Sequence, residues 1–252
     1  MSDGQNGYSN ALLHRGAPQA DVTKITLDHE LRTGGTAPCL LHEVGSDGSI
    51  VDPQQAADVA RWRKAERERL LKVRQGLSAQ CRALETAAIV ASLDRLIDAH
   101  GAEVVSVYWP IRAEADLRDW MRGRVERGGR IALPVAIGHG VPLTFREWRP
   151  GAPLARGLWK IPYPAEGREI IPTVLIAPLV GFDSQGYRLG YGGGFFDRTL
   201  AHLGPQSLAI GVGFSSLEIK TIFPQRHDIP MRWIVTGTAT RAGTSAQAHA
   251  HK

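Results

Sequence analysis

The pattern of apolar and polar positions separates a structured middle of the chain from two polar ends. Between about residue 52 and residue 236, apolar residues recur at helical spacing or in short runs typical of strands. Residues 1–50 are rich in Gly, Ser, Thr and Asp, and residues 238–252 form a low-complexity stretch. We therefore predict a flexible N-terminal arm (1–50), an α/β domain (51–237) and a disordered C-terminal tail (238–252).

Two long helices are predicted at the start of the domain. Asp52 followed by Pro53 is typical of a helix start, because Asp caps free backbone N–H groups and Pro is favoured at the first helical position. Gly76 is a plausible C-terminal glycine. Ser78 then predicts the cap of a second helix, which should end near Gly101.

Shorter elements alternate over the rest of the domain. A helix is predicted at 113–126 and another from residue 195, and apolar runs predict the strands 104–108, 130–135, 143–148, 173–180, 208–213 and 233–236. This alternation indicates an α/β fold with a mainly parallel, twisted sheet flanked by helices, in a Rossmann-like three-layer α/β/α arrangement. In such a fold the ligand lies beyond the carboxyl ends of the strands.

Composition narrows the classes of partner. A net charge of +5 suggests an anionic partner, and nucleotides or other small polyanions fit as well as nucleic acid does. The sequence contains no nucleic-acid-binding module, no apolar run near the ~20 residues of a membrane span, and no signal peptide at its N-terminus. Cys39 and Cys81 match no metal or redox spacing. We expect a cytoplasmic protein that binds small molecules, without nucleic-acid or membrane partners.

The most informative segment connects the strand at 173–180 to the helix from residue 195. It reads Arg188-Leu-Gly-Tyr-Gly-Gly-Gly-Phe-Phe-Asp197. A glycine-rich turn before a helix N-terminus lets backbone N–H groups converge on a phosphate. Arg188 adds a permanent charge, and Asp197 stands where it could hold a metal bound to that phosphate. The segment lacks the Gly-Lys-Ser/Thr of a Walker loop, and Phe195 occupies a glycine position of the dinucleotide fingerprint.

Four further segments could meet at the same edge of the sheet, and each has an alternative explanation. The basic residues at 63–67 could bind a phosphate or form a solvated helix face. Glu114, in the segment 110–116, could serve a ligand or be a first-turn helix acid. The aromatic, proline-rich segment 159–164 could line a flat ligand or be a packed loop. The segment 224–230 contributes Asp228 in a loop before the last strand, and its His227 could be a catalytic base or a surface or packing residue.

Taken together, these segments resemble the 5-formyltetrahydrofolate cyclo-ligase family, also called methenyltetrahydrofolate synthetases. The resemblance extends over about residues 60–236. The family's strongest signature, Arg-Leu-Gly-x-Gly-x-Gly-Tyr-Tyr-Asp, corresponds to residues 188–197. The resemblance implies an ATP- and Mg²⁺-dependent enzyme. In that reaction the formyl oxygen of 5-formyltetrahydrofolate is phosphorylated, N10 attacks the activated carbon, and phosphate leaves to give 5,10-methenyltetrahydrofolate.

The resemblance also implies a role for individual residues. Arg188 and Tyr191 are the expected catalytic residues, and Asp197 and Asp228 are the expected Mg²⁺ ligands. The expected ATP-binding residues are Arg63, Lys64, Arg67, Arg188, Leu189, Gly190, Gly192, Gly193, Gly194, Phe195 and Phe196. The expected folate-binding residues are Trp109, Glu114, Trp159, Tyr191 and Gly194. A monomer or weak dimer is expected.

The chain departs from the family pattern at several positions. These are Leu117 in place of Thr, Tyr163 in place of Glu or Gln, Phe195-Phe196 in place of Tyr-Tyr, and Arg232 in place of an acid; the family's first-helix Lys corresponds to Arg63, one position before Lys64. Two alternatives stay open: an ATP-dependent paralogue that acts on another folate or heterocycle, and a folate- or nucleotide-binding regulator without turnover. Retention of Asp197, Asp228 and Arg188 together argues against a regulator without turnover.

Overall fold

The computed structural model describes residues 52–244, so the predicted arm and the end of the predicted tail lie outside the described residues. Two short 3₁₀ turns, Leu158–Lys160 and Ser215–Leu217, accompany the helices and strands. In chain order these are α1 (Pro53–Gly76), α2 (Ala79–His100), β1 (Val104–Ser106), α3 (Arg118–Glu126), β2 (Arg130–Val135), β3 (Thr144–Trp148), β4 (Leu154–Arg156), β5 (Pro162–Pro164), β6 (Val174–Pro178), β7 (Gly181–Phe182), β8 (Arg188–Leu189), α4 (Phe195–Leu203), β9 (Leu208–Val212), β10 (Trp233–Val235) and β11 (Thr240–Ala242).

The first two helices begin and end where their capping residues predict. The Asp52 carboxylate accepts hydrogen bonds from the backbone N–H groups of residues 54 and 55, which α1 leaves without intrahelical partners. The Ser78 hydroxyl accepts from the N–H of Cys81 at the start of α2. Gly101 ends α2 in the left-handed conformation (φ 65°) that glycine adopts without steric cost.

The main sheet has seven strands in the order β11-β10-β9-β6-β1-β2-β3. The five central strands are parallel, and β3 and β11 pair antiparallel at the two edges. The predicted α/β class with a mainly parallel sheet flanked by helices is confirmed. The chain runs outward from β1 to β2 and then returns to place β6 on the other side of β1, so the strand order reverses between β1 and β6. A crevice is expected beyond their carboxyl ends.

The core lies between the central strands and the helices packed on them. Strand β9 is buried along its whole length, and so are the first four residues of β6, as expected for strands covered on both faces. Helix α2 contributes a stripe of fully buried side chains at four-residue spacing, Ile89, Leu93 and Ile97. Each such side chain contributes roughly 2 kcal/mol by leaving water. Within residues 52–244, no helix is long and apolar enough to cross a membrane.

The predicted start of the third helix is wrong. α3 begins at Arg118 and not near residue 113. Arg112 and Ala113 have positive φ values of 47° and 60°, which a right-handed helix excludes, so the segment from 112 to 117 is a loop. Glu114 is therefore neither the cap nor a first-turn residue of α3.

The prediction of a disordered tail from residue 238 is also wrong for its first part. Thr240–Ala242 forms β11, paired with β10, and the Thr244 backbone N–H donates to the carbonyl of Gln185 (3.0 Å). The low-complexity sequence around β11 has no strand signal of its own. The strand exists because β10 offers it a partner.

A short hairpin separates the buried strand β6 from the glycine loop. Strands β7 and β8 pair antiparallel, and their turn is held by the buried Asp183 carboxylate, which accepts from the backbone N–H groups of Gln185 and Tyr187 (3.1 Å each). The sequence predicts the glycine loop directly after the strand at 173–180. Two-residue strands are too short to show a period, so the hairpin was missed.

Candidate active site

A cleft of about 510 Å³ opens where the crevice is expected, beyond the carboxyl ends of β1 and β6. Tyr108 and Trp109 follow β1 and line it, and Pro178 at the end of β6 lies at its base. The other walls come from one face of α1, the segment 157–163, the glycine loop with the start of α4, and residues 227–228. The segments that the sequence places at this edge are thus brought together.

The glycine loop presents an uncapped helix N-terminus to the cleft. Gly194 is the N-cap of α4 in the left-handed conformation (φ 63°), and no described side chain caps this helix. Gly192 is also left-handed (φ 93°), and a Cβ at that position would lie 3.3 Å from Cζ of Arg67. The first turn of α4 therefore offers backbone N–H groups and the positive end of the helix dipole to a ligand.

The basic residues of α1 differ in what they can offer a ligand. The Nε of Arg67 donates to the Gly190 carbonyl (2.7 Å), and among residues 52–244 this is its only hydrogen bond, so both Nη groups remain available in the cleft. Burial and the neighbouring Arg63 lower the pKa of Arg67 from its usual value. Arg63 instead donates two hydrogen bonds to the Asp228 carboxylate, from Nη1 to Oδ1 (3.2 Å) and from Nη2 to Oδ2 (2.5 Å). Lys64 is exposed and is absent from the described cleft lining.

Arg188 is buried and already paired, although the sequence predicts it as a phosphate-binding cation. Its Nη1 donates to the Ile229 carbonyl (2.8 Å), and its Nη2 lies 2.8 Å from Oδ1 of Asp197 without hydrogen-bond alignment. Asp197 Oδ1 also accepts from the Ile229 N–H (3.1 Å). This network fixes the start of α4 against the loop before β10. The role of Arg188 at a phosphate stays a prediction.

The two predicted metal ligands both border the cleft, and each faces an arginine. Asp197 lies beside Arg188 and Asp228 beside Arg63. Burial opposes ionisation of Asp228, but Arg63 and the Gln225 N–H outweigh it and hold the pKa of this carboxyl below its usual value. Among residues 52–244, no group of three or more His, Cys, Asp or Glu side chains could hold a metal. Carboxylates that border one cleft are donors of the kind that Mg²⁺ takes together with phosphate and water ligands, and the role of Asp197 and Asp228 as Mg²⁺ ligands stays a prediction.

Glu114 lies in the loop after β1, and its carboxylate is buried at the cleft and accepts two hydrogen bonds. Its Oε2 accepts from the Ile111 N–H (2.9 Å), and its Oε1 accepts from the Tyr191 hydroxyl (2.6 Å). Burial raises the pKa of Glu114, while these hydrogen bonds and nearby arginines favour its charged form. A carboxylate has about four lone-pair sites, so two hydrogen bonds leave acceptor capacity for a ligand.

Arg74 was missed as a site residue by sequence reasoning. It is 1% exposed, and it donates to the carbonyls of Arg112 (3.0 Å) and Leu179 (3.1 Å) and to the Tyr191 hydroxyl (2.6 Å). Its Nη1 also lies 3.6 Å from Oε1 of Glu114. The available signal was its position four residues after Leu70, which places it on the inward face of α1.

Aromatic side chains form much of the remaining wall. Trp159 is 58% exposed and has a positive φ of 56°, and it packs edge-to-face on Phe195 with ring centroids 5.2 Å apart. Tyr191 is 39% exposed, and the Arg112 guanidinium lies 5.5 Å from its ring centroid. The Arg118 guanidinium lies 5.6 Å from the ring centroid of Trp109. Such a wall suits a flat, heterocyclic ligand.

The chain is similar to known proteins both in sequence and in fold. A model of the 5-formyltetrahydrofolate cyclo-ligase family matches residues 59–237. A 5-formyltetrahydrofolate cyclo-ligase of Mycolicibacterium smegmatis is 33% identical over 140 residues, 52% of this chain and 72% of that protein. One of Escherichia coli is 32% identical over 145 residues, 54% of this chain and 78% of that protein.

Solved structures show the same fold. The structure of Aquifex aeolicus 5,10-methenyltetrahydrofolate synthetase is similar with a TM-score of 0.62 and 28% identity, over 71% of this chain and 92% of that one. The structure of a 5,10-methenyltetrahydrofolate synthetase from Mycoplasma pneumoniae gives a TM-score of 0.58 at 21% identity, over 69% and 98% of the two chains.

Proposed function

Because the chain belongs to the 5-formyltetrahydrofolate cyclo-ligase family, we propose that it converts 5-formyltetrahydrofolate to 5,10-methenyltetrahydrofolate with consumption of ATP and with Mg²⁺. The observation that carries this proposal is a single cleft at the β1–β6 crevice. It joins a buried carboxylate suited to a pterin, Glu114, to an uncapped glycine-loop helix suited to a triphosphate.

The nucleotide half of the cleft is the glycine loop with the α1 face beside it. Backbone N–H groups at the start of α4 and the Nη groups of Arg67, which bond no other residue of the described part of the chain, would hold phosphate oxygens. Arg63 and Arg188 are engaged by Asp228 and Asp197, and they would fix the two carboxylates in place and add positive charge near the phosphates. Mg²⁺ bound with ATP would neutralise charge on the phosphates, with Asp197 and Asp228 as protein ligands.

The folate half of the cleft is formed by Glu114 and the aromatic wall. The free lone pairs of the Glu114 carboxylate can accept paired hydrogen bonds from an aminopyrimidine. Trp109, Trp159 and the ring of Tyr191 would pack on the pterin faces. Tyr191 belongs to the glycine loop while its hydroxyl is bonded to Glu114, so this residue lies where the two substrates would meet.

The proposed reaction asks mainly for positioning from the protein. The γ-phosphoryl group passes to the formyl oxygen as its bond to the β-phosphate bridging oxygen breaks and ADP leaves. N10 then forms its bond to the formyl carbon, a proton leaves N10, and the phosphorylated oxygen departs as inorganic phosphate. Phosphoryl transfer gains most from alignment and charge stabilisation. Those are the properties that the glycine loop, a helix N-terminus and Arg67 would supply.

A turnover assay tests the proposal directly. The purified chain is incubated with 5-formyltetrahydrofolate, ATP and Mg²⁺, and the methenyl product is followed by absorbance. Product should form only when all three are present, and chelation of Mg²⁺ should stop the reaction. ATP hydrolysis with another folate but none with this one would indicate a paralogue, and tight folate binding without turnover would indicate a regulator. Both outcomes would overturn the proposal.

The remaining expectations about the protein become part of the same proposal. We expect a monomer or weak dimer that acts on small molecules in the cytoplasm. The catalytic unit is proposed to span residues 52–244, because β11 extends the domain beyond the residue 237 that the sequence predicts as its end.

A further inference from the structure

Arg74 makes three directed hydrogen bonds at the cleft, yet the proposed chemistry gives it no task. Its guanidinium donates to the carbonyls of Arg112 and Leu179 and to the Tyr191 hydroxyl. These partners belong to the loop after β1, the end of β6 and the glycine loop. One buried side chain of α1 therefore joins both halves of the cleft.

Hydrogen-bond chemistry fixes the direction of this network. Arginine has only donors, so the Tyr191 oxygen must accept from Arg74 Nη2 (2.6 Å). The single hydroxyl proton of Tyr191 is then directed to Oε1 of Glu114 (2.6 Å). Burial raises the pKa of the Tyr191 hydroxyl, so it keeps that proton. Arg74 thus determines which way Tyr191 donates.

We propose that Arg74 is a positioning residue for the folate: through Tyr191 and its own charge it keeps the Glu114 carboxylate oriented and ionised. This role rests on the proposed function, because it matters only if Glu114 accepts hydrogen bonds from the pterin. The Arg74–Arg112 carbonyl bond adds to it, since it stabilises the left-handed turn that carries Glu114 into the cleft.

Of the two arginines near Glu114, Arg74 contributes more to keeping this carboxylate charged. Tyr108, Tyr191, Arg74 and Arg112 face this carboxyl. Burial raises its pKa, and the two arginines oppose that rise. Arg112 is exposed and screened by solvent, whereas Arg74 is buried and its Nη1 lies 3.6 Å from Oε1. Removal of the Arg74 charge should therefore raise the pKa of Glu114 further and leave it protonated at higher pH.

The experiment measures the affinity for 5-formyltetrahydrofolate as a function of pH, by quenching of tryptophan fluorescence in the full-length chain without ATP. Wild type, Arg74→Gln and Arg74→Lys are compared. Arg69→Gln is the matched control, because Arg69 lies on the same helix, is exposed and pairs with Glu66. In Arg74→Gln, the pH below which folate affinity is lost should rise by about one unit or more, because an opposite charge at this distance typically lowers a carboxyl pKa by 1–3 units.

Arg74→Lys keeps the positive charge, so it should leave the pH midpoint of folate binding near that of wild type. It loses the guanidinium hydrogen bond to Tyr191, so it should weaken folate binding by about tenfold. Its effect should also be non-additive with that of Tyr191→Phe. The measurements on Arg74→Lys keep the proposal testable if Arg74→Gln does not fold. Arg69→Gln should bind as wild type does.

The outcomes separate the two proposals. If wild type binds and converts 5-formyltetrahydrofolate but both Arg74 variants keep its pH profile and affinity, the positioning role is wrong. Additive effects of Arg74→Lys and Tyr191→Phe would also refute it, since a purely structural arginine would act independently of Tyr191. If wild type itself neither binds nor converts this folate, the proposed function fails and the role of Arg74 fails with it.

Discussion

Replacement of Glu114 by Gln separates a folate-binding carboxylate from a structural acid. The side chain keeps its shape, but it loses its charge and gains a donor. If the amide nitrogen faces Ile111, it opposes the backbone N–H there; if it faces Tyr191, the hydroxyl proton of Tyr191 loses its acceptor. In either orientation one hydrogen bond of this side chain is lost, and Arg74 loses the carboxylate charge beside it.

The magnitudes follow from these contacts. Breaking a buried ion pair from one side typically costs 3–5 kcal/mol, and Arg74 keeps three other hydrogen bonds, so a stability loss of about 3 kcal/mol is expected. For the folate, exchange of a charged acceptor for a neutral one should cost about 1.5–3 kcal/mol of binding. That loss corresponds to an increase in the folate KM of roughly tenfold to a hundredfold.

Initial rates at varied folate and ATP concentrations, together with denaturant unfolding, measure both effects. The ATP KM should stay within about twofold of wild type, a difference of less than 0.5 kcal/mol. Asp116→Asn is the matched control, because Asp116 is a half-exposed acid two residues away that pairs with Arg118. It should change stability by less than about 1 kcal/mol and leave both KM values unchanged. An unchanged folate KM in a folded Glu114→Gln variant would refute the assignment of Glu114 to the folate.

Three further predictions concern the nucleotide half, acid stability and the N-terminus. Arg67→Gln should raise the ATP KM by about tenfold through loss of a charge-assisted hydrogen bond, whereas Lys64→Gln should leave it unchanged in the same steady-state assay; equal effects would contradict the placement of Lys64 outside the cleft. The lowered pKa of Asp228 means that its pair with Arg63 stabilises the fold above the unfolded value of 3.8 and is lost as pH falls through the folded value, so Asp228→Asn should reduce the acid dependence of the unfolding free energy. Deletion of residues 1–45 should leave the thermal midpoint and kcat unchanged, and a large drop in either would show that this segment contributes to the fold.

Local chemistry made the long helices and the parallel sheet predictable from sequence. Asp52 and Ser78 act on backbone groups two or three residues away, and Gly101 supplies a conformation that depends on no distant partner. The central strands read as buried because their apolar runs are continuous. The glycine loop was placed for the same reason, since the glycines and the helix that follows are adjacent in sequence.

The features that the sequence did not predict depend on contacts between distant parts of the chain. The start of α3 was misplaced because the turn at Arg112 is held by Arg74, which is 38 residues away in sequence. Arg74 itself bonds residues 105 and 117 positions away, and a run of basic residues on a helix does not tell which one turns inward. Arg188 appeared to be a free cation in the sequence; its pairing with Asp197 appears only when α4 is docked beside the loop before β10.

Strand β11 also determines where this protein can be shortened. It covers the outer edge of β10 with an antiparallel ladder from Trp233↔Ala242 to Val235↔Thr240. A chain that stopped at residue 237 would keep the whole predicted domain but leave the backbone N–H and C=O groups along that edge unpaired. Such an edge is a template for a strand from another molecule. Strand β11 thus pairs the groups along this side of β10 and itself takes the edge position of the sheet, so a version trimmed for crystallisation or tagging should retain residues to 244.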